Sequence, residues 1–330
     1  MTLSILESAR IPEEQPDSVW SDILSSLERY SFFQTPRWSQ LLASILPGAI
    51  PRHRWFRFSD GCEAVIPWLS LPKFPGARKL VSLAWGTYGG LLSRSPLSLE
   101  HLRVAVSSCL SLREPVCLVT VKPESQILES NPIQPSIFHI QERWTHLLRL
   151  DRDFDKVWGS HFKPRNRTAI RKAQKMGVAV RWSNRCETVA VMKDLYRRAC
   201  KTWQGVETLP LEFFDALVDT PGEAMRLWFS EQEGKILAAN VIFYGKGEVQ
   251  YFAGAMDERF SEWNGSKILM SEIIRDACER GFSCFNFGAG GELGGVAQFK
   301  ESFGGVKTPY LFLRITHPFL RFLPRYFGGG

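Results

Sequence analysis

Residues 278–304 read CERGFSCFNFGAGGELGGVAQFKESFG. Phe282 to Phe287 mixes aromatic and small residues without a charge, which suits a strand covered on both faces, and Gly281 ends the helix before it. Gly288, Gly290, Gly291, Gly294 and Gly295 follow, giving a loop whose backbone a ligand can approach closely. Val296 to Phe303 resumes as one or two helical turns and sets Phe299 and Lys300 just past the loop. A lysine beside a glycine loop at a strand end is placed to meet an anion or a developing oxyanion. The ordinary alternative for a lysine on a short helix is a solvated surface charge. The glycines are not a dinucleotide fingerprint: after Gly288 and Gly290 the third glycine is replaced by Leu293, and no acidic partner follows in the next strand.

Upstream, Asn264-Gly265-Ser266 precedes the amphipathic helix KILMSEIIRDACERG, with Ile268, Leu269, Ile273, Ile274 and Ala277 inward. Strands are expected around 225–230, 235–244 and 248–255, joined by Glu233-Gly234 and Gly245-Lys246-Gly247, which are hairpin signals. Helices are expected over 187–204 and 211–219. Further back, FKPRNRTAIRKAQKMG carries Lys163, Arg165, Arg167, Arg171, Lys172 and Lys175 with no acidic neighbour, and Ala169, Ile170, Ala173 and Met176 fall at helical spacing. This is a basic amphipathic helix stopped by Gly177; it either binds an anion or is a solvated helix face.

The first half reads as a shorter version of the same element order. Helices are expected over 17–30 and 36–46, a hairpin over 52–71, a helix over 97–112, and strands over 115–121 and 143–150. Between them, Tyr88, Gly89 and Gly90 interrupt a strand-like run and point to a bulge or a close backbone approach. NPIQPS at 131–136 is a loop. The expected division is 1–150 and 151–330. No residue-level repeat accompanies it.

With 330 residues and 44% hydrophobic residues the chain can bury two ordinary cores. The balance of 41 Lys+Arg against 34 Asp+Glu, a net charge of +7, favours anionic partners: RNA, phosphorylated precursors, coenzymes or anionic lipid heads. The seven cysteines form no CxxC pair and the six histidines are scattered singly, so neither a metal site nor a disulfide framework is expected. With no signal-peptide pattern and no membrane-length apolar run, a cytoplasmic location is expected, with peripheral contact at the inner face of the membrane as the alternative.

Two segments together resemble the FemA/FemB/FemX family and its broader BioF2-like relatives, acyltransferases of the GNAT superfamily. FKPRNRTAIRKAQKMGVAV resembles the family's basic helix, and CFNFGAG followed by QFKESFG resembles its strand, loop and Phe-Lys ending. FFQTPRW and TYGGLL are similar to N-terminal signatures. The resemblance spans most of the chain and implies an α/β (α+β) protein of two GNAT-like domains in tandem. Each is a mixed, mostly antiparallel sheet flanked by helices, with donor and acceptor bound around the second domain and the cleft between the two.

In FemX-like members the Phe-Lys lysine stabilises the tetrahedral intermediate when an amine attacks an acyl ester. That role would fall on Lys300, with Phe299 beside it. Lys163, Arg165, Arg167 and Arg171 become candidates for substrate phosphates, Arg by a bidentate grip and Lys as a point charge. Trp38 and Tyr88 are candidates for an acceptor groove, with core packing as the alternative for both. The glycine-rich turn that holds a coenzyme pyrophosphate elsewhere in the superfamily is reduced here to RFSEWNGSKILM, leaving Asn264, Gly265, Ser266 and Lys267 as the donor-phosphate candidates.

The expected activity is transfer of an acyl or aminoacyl group to an amine of a cell-envelope, polysaccharide or small-molecule precursor, phosphorylated or lipid-linked. The donor is acyl-CoA or aminoacyl-tRNA, and no cofactor is held permanently. Asn286, Glu292 and Glu301 are the polar groups near Lys300 in sequence, and nothing chooses a base among them. The other reading is a non-catalytic scaffold that binds RNA or an anionic membrane surface through its basic face, with the tail TPYLFLRITHPFLRFLPRYF as a candidate to lie on a bilayer.

Overall fold

The computed structural model describes residues 2–11, 19–85, 87–125, 127, 138–201, 208–218, 220–289 and 294–318. The expected 131–136 loop, Gly290, Gly291, Glu292 and the C-terminal tail beyond residue 318 lie outside these residues. The chain folds as two compact units, neither one continuous segment. Unit 1 comprises Met1–Glu28, Phe33–Arg143 and Pro309–Gly330; unit 2 comprises Arg29–Phe32 and Trp144–Thr308.

Unit 1 contains β1 (Ile5–Arg10), α1 (Val19–Ser26), α2 (Pro36–Ile45), β2 (Ile50–Pro51), β3 (Arg54–Phe58), β4 (Glu63–Ile66), β5 (Leu69–Phe74), β6 (Ala77–Val81), α3 (Leu99–Cys109) and β7 (Val116–Val121). Strands β1, β3 and β4 make a small antiparallel sheet in that order. The second sheet runs β2-β5-β6-β7 and continues to β14 (Val306–Thr316). Within it β6 and β7 are parallel, and α3 is the crossover between them. Leu102, Ala105 and Val106 of α3 pack with Phe56, Trp68, Leu80 and Val119 into one core. Thr35 caps α2 by accepting from the Trp38 amide, and Pro36 sits in the first turn, where its missing N–H costs nothing. Asp60, Cys62 and His101 also meet in this unit, their ligand-type atoms within 4.8 Å of one another. His101 Nδ1 accepts from the Ser98 amide, which leaves the proton on Nε2 for Asp60, so the imidazole serves the start of α3.

Unit 2 contains the second part of β8 (Phe138–Arg149), then α4 (Phe154–Ser160), α5 (Pro164–Lys175), β9 (Ala179–Trp182), α6 (Cys186–Cys200) and α7 (Glu212–Asp215). It continues with β10 (Met225–Gln232), β11 (Lys235–Tyr244), β12 (Glu248–Met256), α8 (Gly265–Glu279), β13 (Cys284–Asn286) and α9 (Gly294–Ser302). Its strand order is β8-β13-β12-β11-β10-β9. The pair β12–β13 is parallel, with α8 as crossover, and the other pairs are antiparallel. The inward face of α8, Ile268, Leu269, Ile273, Ile274 and Ala277, is buried as its periodicity predicts, against Phe285, Phe287, Ile242 and Val249. Each unit therefore holds one strand–helix–strand crossover inside an otherwise antiparallel sheet.

The expected hairpins, the basic helix and the crossover helix are all present. Several strands escaped the sequence. Strand β1 is almost wholly exposed and has no apolar alternation, β9 is only four residues long, and the hairpin β5–β6 is masked by Pro72 and Pro75. The expected close approach at Tyr88-Gly89-Gly90 is present: a Cβ on Gly89 would lie 2.8 Å from Ser82 Cβ and nearer still to the Ser82 carbonyl.

Gly245 is a similar constraint in unit 2. The bridge Tyr30↔Lys246 fastens residues 29–32 there, and a Cβ at position 245 would meet the Tyr30 carbonyl and lie 2.8 Å from the Phe32 amide. Gly245→Ala is expected to destabilise the protein by about 1–3 kcal/mol, seen as a lower urea midpoint. An unchanged midpoint would show that the 29–32 segment is not held as described.

Candidate active site

The site is built where β12 and β13 part. Glu248, Val249 and Gln250 pair with Cys284, Phe285 and Asn286, and there β13 ends. Strand β12 runs on to Met256 with a register shift against β11 between Val241 and Ile242, a bulge that turns it away. Gly288 sits just past the fork with a φ of 69°, and a Cβ on it would lie 2.9 Å from the Tyr251 carbonyl and 3.3 Å from Gln250 Nε2. The glycine is required twice over, by conformation and by space.

Lys300 reaches into this fork from α9. Its Nζ donates to the Gly288 carbonyl at 2.6 Å, and only 1% of the residue is exposed. No carboxylate pairs with it among the described residues. Desolvation therefore lowers its pKa from 10.5 to about 7. The solvated alternative is thus excluded. Phe299 is half-buried, packs at a ring distance of 5.1 Å against Phe303, and anchors α9 on the core.

Asn286 is fully buried, and its Oδ1 accepts from Thr145 Oγ1 at 2.7 Å and from the Gly288 amide at 2.9 Å. Because an amide N–H can only donate, Oδ1 is fixed as acceptor and Nδ2 is left without a partner. Gln250 donates through Nε2 to the Tyr251 carbonyl, leaving its buried Oε1 unmatched. His146 on β8 is also buried with both ring nitrogens unmatched, Nε2 lying 4.0 Å from Glu301 Oε1. Burial first, then Lys300, lowers its pKa, with Glu301 opposing. Gln250 and His146 are the polar residues that sequence reasoning missed. They come from strands far away in the chain and carry no motif; a lone histidine in the apolar run WTHLLRL was the only signal.

The donor-phosphate candidates lie at the N-terminus of α8. Asn264 takes a left-handed conformation (φ 54°), and its side chain donates to the Glu262 carbonyl and does not cap the helix. Gly265 is required by packing, since a Cβ there would lie 2.5 Å from Leu237 Cβ and 2.9 Å from Ser230 Oγ. Ser266 and Lys267 are half-buried in the first turn, and the Lys267 pKa is lowered by desolvation and by Arg165. Helix α5 packs on α8, which brings Arg165 to this uncapped helix end.

The other basic residues divide. Lys163 lies 3.7 Å from Glu301, and Arg171 stands over the Trp158 ring at 5.7 Å. Arg167 donates through Nη1 to the carbonyls of Trp158, Gly159 and Phe162 at 2.8–3.2 Å, so this guanidinium closes the end of α4. Trp38 and Tyr88 are corrected from groove to core. They are 0% and 2% exposed in unit 1, Trp38 donating to Thr87 Oγ1 and Tyr88 packing edge-on to Tyr310.

Residues 160–301 match the sequence model of a family described as an acetyltransferase (GNAT) domain. No curated protein sequence matches the chain. Among solved structures it is similar to FemX at 15% identity, covering 96% of this chain and 100% of that chain with a TM-score of 0.71. It is similar to the C-terminal domain of a putative lysylphosphatidylglycerol synthetase from Agrobacterium fabrum at 10% identity, covering 89% and 92% with a TM-score of 0.58. It is also similar to Saccharomyces cerevisiae N-myristoyltransferase, solved with bound myristoyl-CoA and inhibitors, at 12% identity, covering 95% and 80% with a TM-score of 0.51. At such identities the likeness is one of fold. The segment that carries Lys300 thus matches the model of an acetyltransferase (GNAT) domain, and over nearly its whole length the chain is similar in fold to FemX.

Proposed function

We propose that the protein is an N-acyltransferase that moves an acyl or aminoacyl group from acyl-CoA or aminoacyl-tRNA to an amine of a cell-envelope, polysaccharide or small-molecule precursor. The observation that carries this reading is Lys300: a lysine removed from water, without a carboxylate partner, held at the strand fork of a GNAT domain. A neutral acceptor amine attacks the acyl carbonyl carbon, and the carbonyl oxygen becomes an oxyanion. Lys300 Nζ exchanges the Gly288 carbonyl for this oxyanion, an interaction that strengthens only as charge develops. The bond to the donor's sulfur or ribose oxygen then breaks, the amine loses its proton, and the leaving group takes one up. Asn286 Nδ2 and Gln250 Oε1 offer one further donor and one acceptor beside the same glycine.

The donor's phosphates are assigned to the α8 N-terminus with Lys267 and Arg165, and Lys163 and Arg171 extend the basic surface along α5. An envelope acceptor is favoured by the two neighbours, FemX and the lysylphosphatidylglycerol synthetase domain. Among the described residues no helix is long and apolar enough to cross a membrane.

Donor class is decided by titrating the wild type and Arg165→Ala/Lys267→Ala with coenzyme A and with aminoacyl-tRNA. One of the two is expected to bind, and the double variant to bind it at least about tenfold more weakly. Binding of neither donor would contradict the proposed activity. In the transfer assay Lys300→Met is expected to lower kcat by about 10²–10³.

The same change separates function from stability. Below pH 7 both folded and unfolded chains carry a charged Lys300, and only the folded one must bury it. Between pH 7 and 10.5 the folded chain releases the proton first, and above 10.5 both are neutral. Lys300→Met is therefore expected to stabilise the fold at pH 6, by on the order of 2 kcal/mol, with the gain fading by pH 10.5 in urea melts. A variant that is destabilised equally at both pH values would show that the lysine is not desolvated.

A further inference from the structure

Unit 1 contains a cavity of about 320 Å³ that the acyl-transfer reading does not use. That places it at the lower end of the range for small-molecule sites, about 300–1,000 Å³. Its wall carries Arg10 at the end of β1, Arg52 before β3 and Arg54 at the start of β3. The register of β1 against β3 sets Arg10 directly opposite Arg54, so two guanidinium groups leave one face of the ladder side by side. Like charges so placed are destabilising. Among the described residues neither Arg52 nor Arg54 forms an ion pair. The wall's one carboxylate, Glu114, accepts from Ser70 Oγ, which itself accepts from Arg78.

A second part of the lining has another character, and its Cys109 thiol lies beside Arg54. This part is the C-terminal end of α3 with the residues after it, Ser108 to Ser111. A helix C-terminus carries partial negative charge and favours hydrogen-bond donors. Ser108 Oγ donates to the Ala105 carbonyl and keeps its lone pairs, while Ser111 Oγ accepts from the Glu114 amide and keeps its proton. The lining thus combines two or three arginines with the hydroxyls and the partly negative end of α3.

We propose that this cavity binds a small polyol phosphate, its phosphate gripped by Arg52 and Arg54 with Arg10 and its hydroxyls turned to Ser108, Ser111 and the end of α3. A phosphate monoester matches the planar forks of two guanidinium groups. Inorganic phosphate held by the arginines has no carbon-borne hydroxyls to extend to the end of α3, and an uncharged polyol lacks the anion that suits Arg52 and Arg54. The competing account is that the arginines only neutralise the end of α3.

Calorimetric titration of the full chain with glucose 6-phosphate, inorganic phosphate and glucose tests this directly. Glucose 6-phosphate is expected to bind at least about tenfold more tightly than inorganic phosphate, and glucose not at all. Arg52→Gln/Arg54→Gln is expected to weaken the ester at least about tenfold. Arg52→Lys/Arg54→Lys, which keeps the charge and so protects the fold, is expected to fall between the two. Ser111→Ala is expected to weaken the ester and leave inorganic phosphate unchanged. No binding by the wild type, equal affinity for ester and inorganic phosphate, or equal affinity in the wild type and the glutamine variant would each overturn the proposal. So would a glutamine variant whose thermal midpoint falls by the same amount with and without the ester, the result expected if the arginines serve only the helix.

Discussion

A single hydrogen bond, from Lys300 Nζ to the Gly288 carbonyl, organises the candidate site of the second unit. It is made where water is excluded and no carboxylate compensates, so the ammonium is destabilised relative to solution. The surroundings must therefore be fixed independently of it. Phe285, Phe287, Phe299 and Phe303 hold β13 and α9 through ring contacts with centroid separations of 4.8–6.4 Å, and Gly305 closes against the Lys300 carbonyl at a distance only glycine permits. The core thus bears the strain that the lysine introduces, as expected of a preorganised electrostatic site.

The parallel pair β12–β13 is the geometric source of that site. A parallel pair needs a crossover, and α8 supplies one whose first turn is uncapped by any side chain. One connection therefore yields both a strand fork, where Lys300 and Asn286 meet, and a helix end suited to anions, where Lys267 and Arg165 meet. Unit 1 repeats the arrangement with β6, α3 and β7, but there the helix is started by the Ser98–His101 capping box, its first turn already satisfied.

Much of the fold was legible because its signals are local. The three-strand meander, the amphipathic α8 and α5, and the Gly177 and Gly281 stops follow from periodicity and turn chemistry. The exposed edge strands β1 and β9 lack the alternation that burial imposes, so nothing local marked them. The site divided along the same line. Lys300, Asn286 and the α8 N-terminal residues sit in or beside glycine-rich stretches and could be found. His146 and Gln250 belong to the site only through strand register, which is tertiary information. Arg167 and Trp38 looked functional for their type and spacing, yet a guanidinium closing α4 and a core indole use the same residues, and only the hydrogen-bond partners distinguish the roles.

The central claim is that Lys300 is a desolvated lysine waiting for negative charge. The most direct measurement is an NMR titration of its selectively labelled side chain, alone and with a bound tetrahedral anionic analogue of the transfer intermediate. A midpoint near 7 in the free protein, moving upward when the anion binds, is the predicted result. A midpoint at the ordinary lysine value, or one that the anion leaves unmoved, would contradict the account.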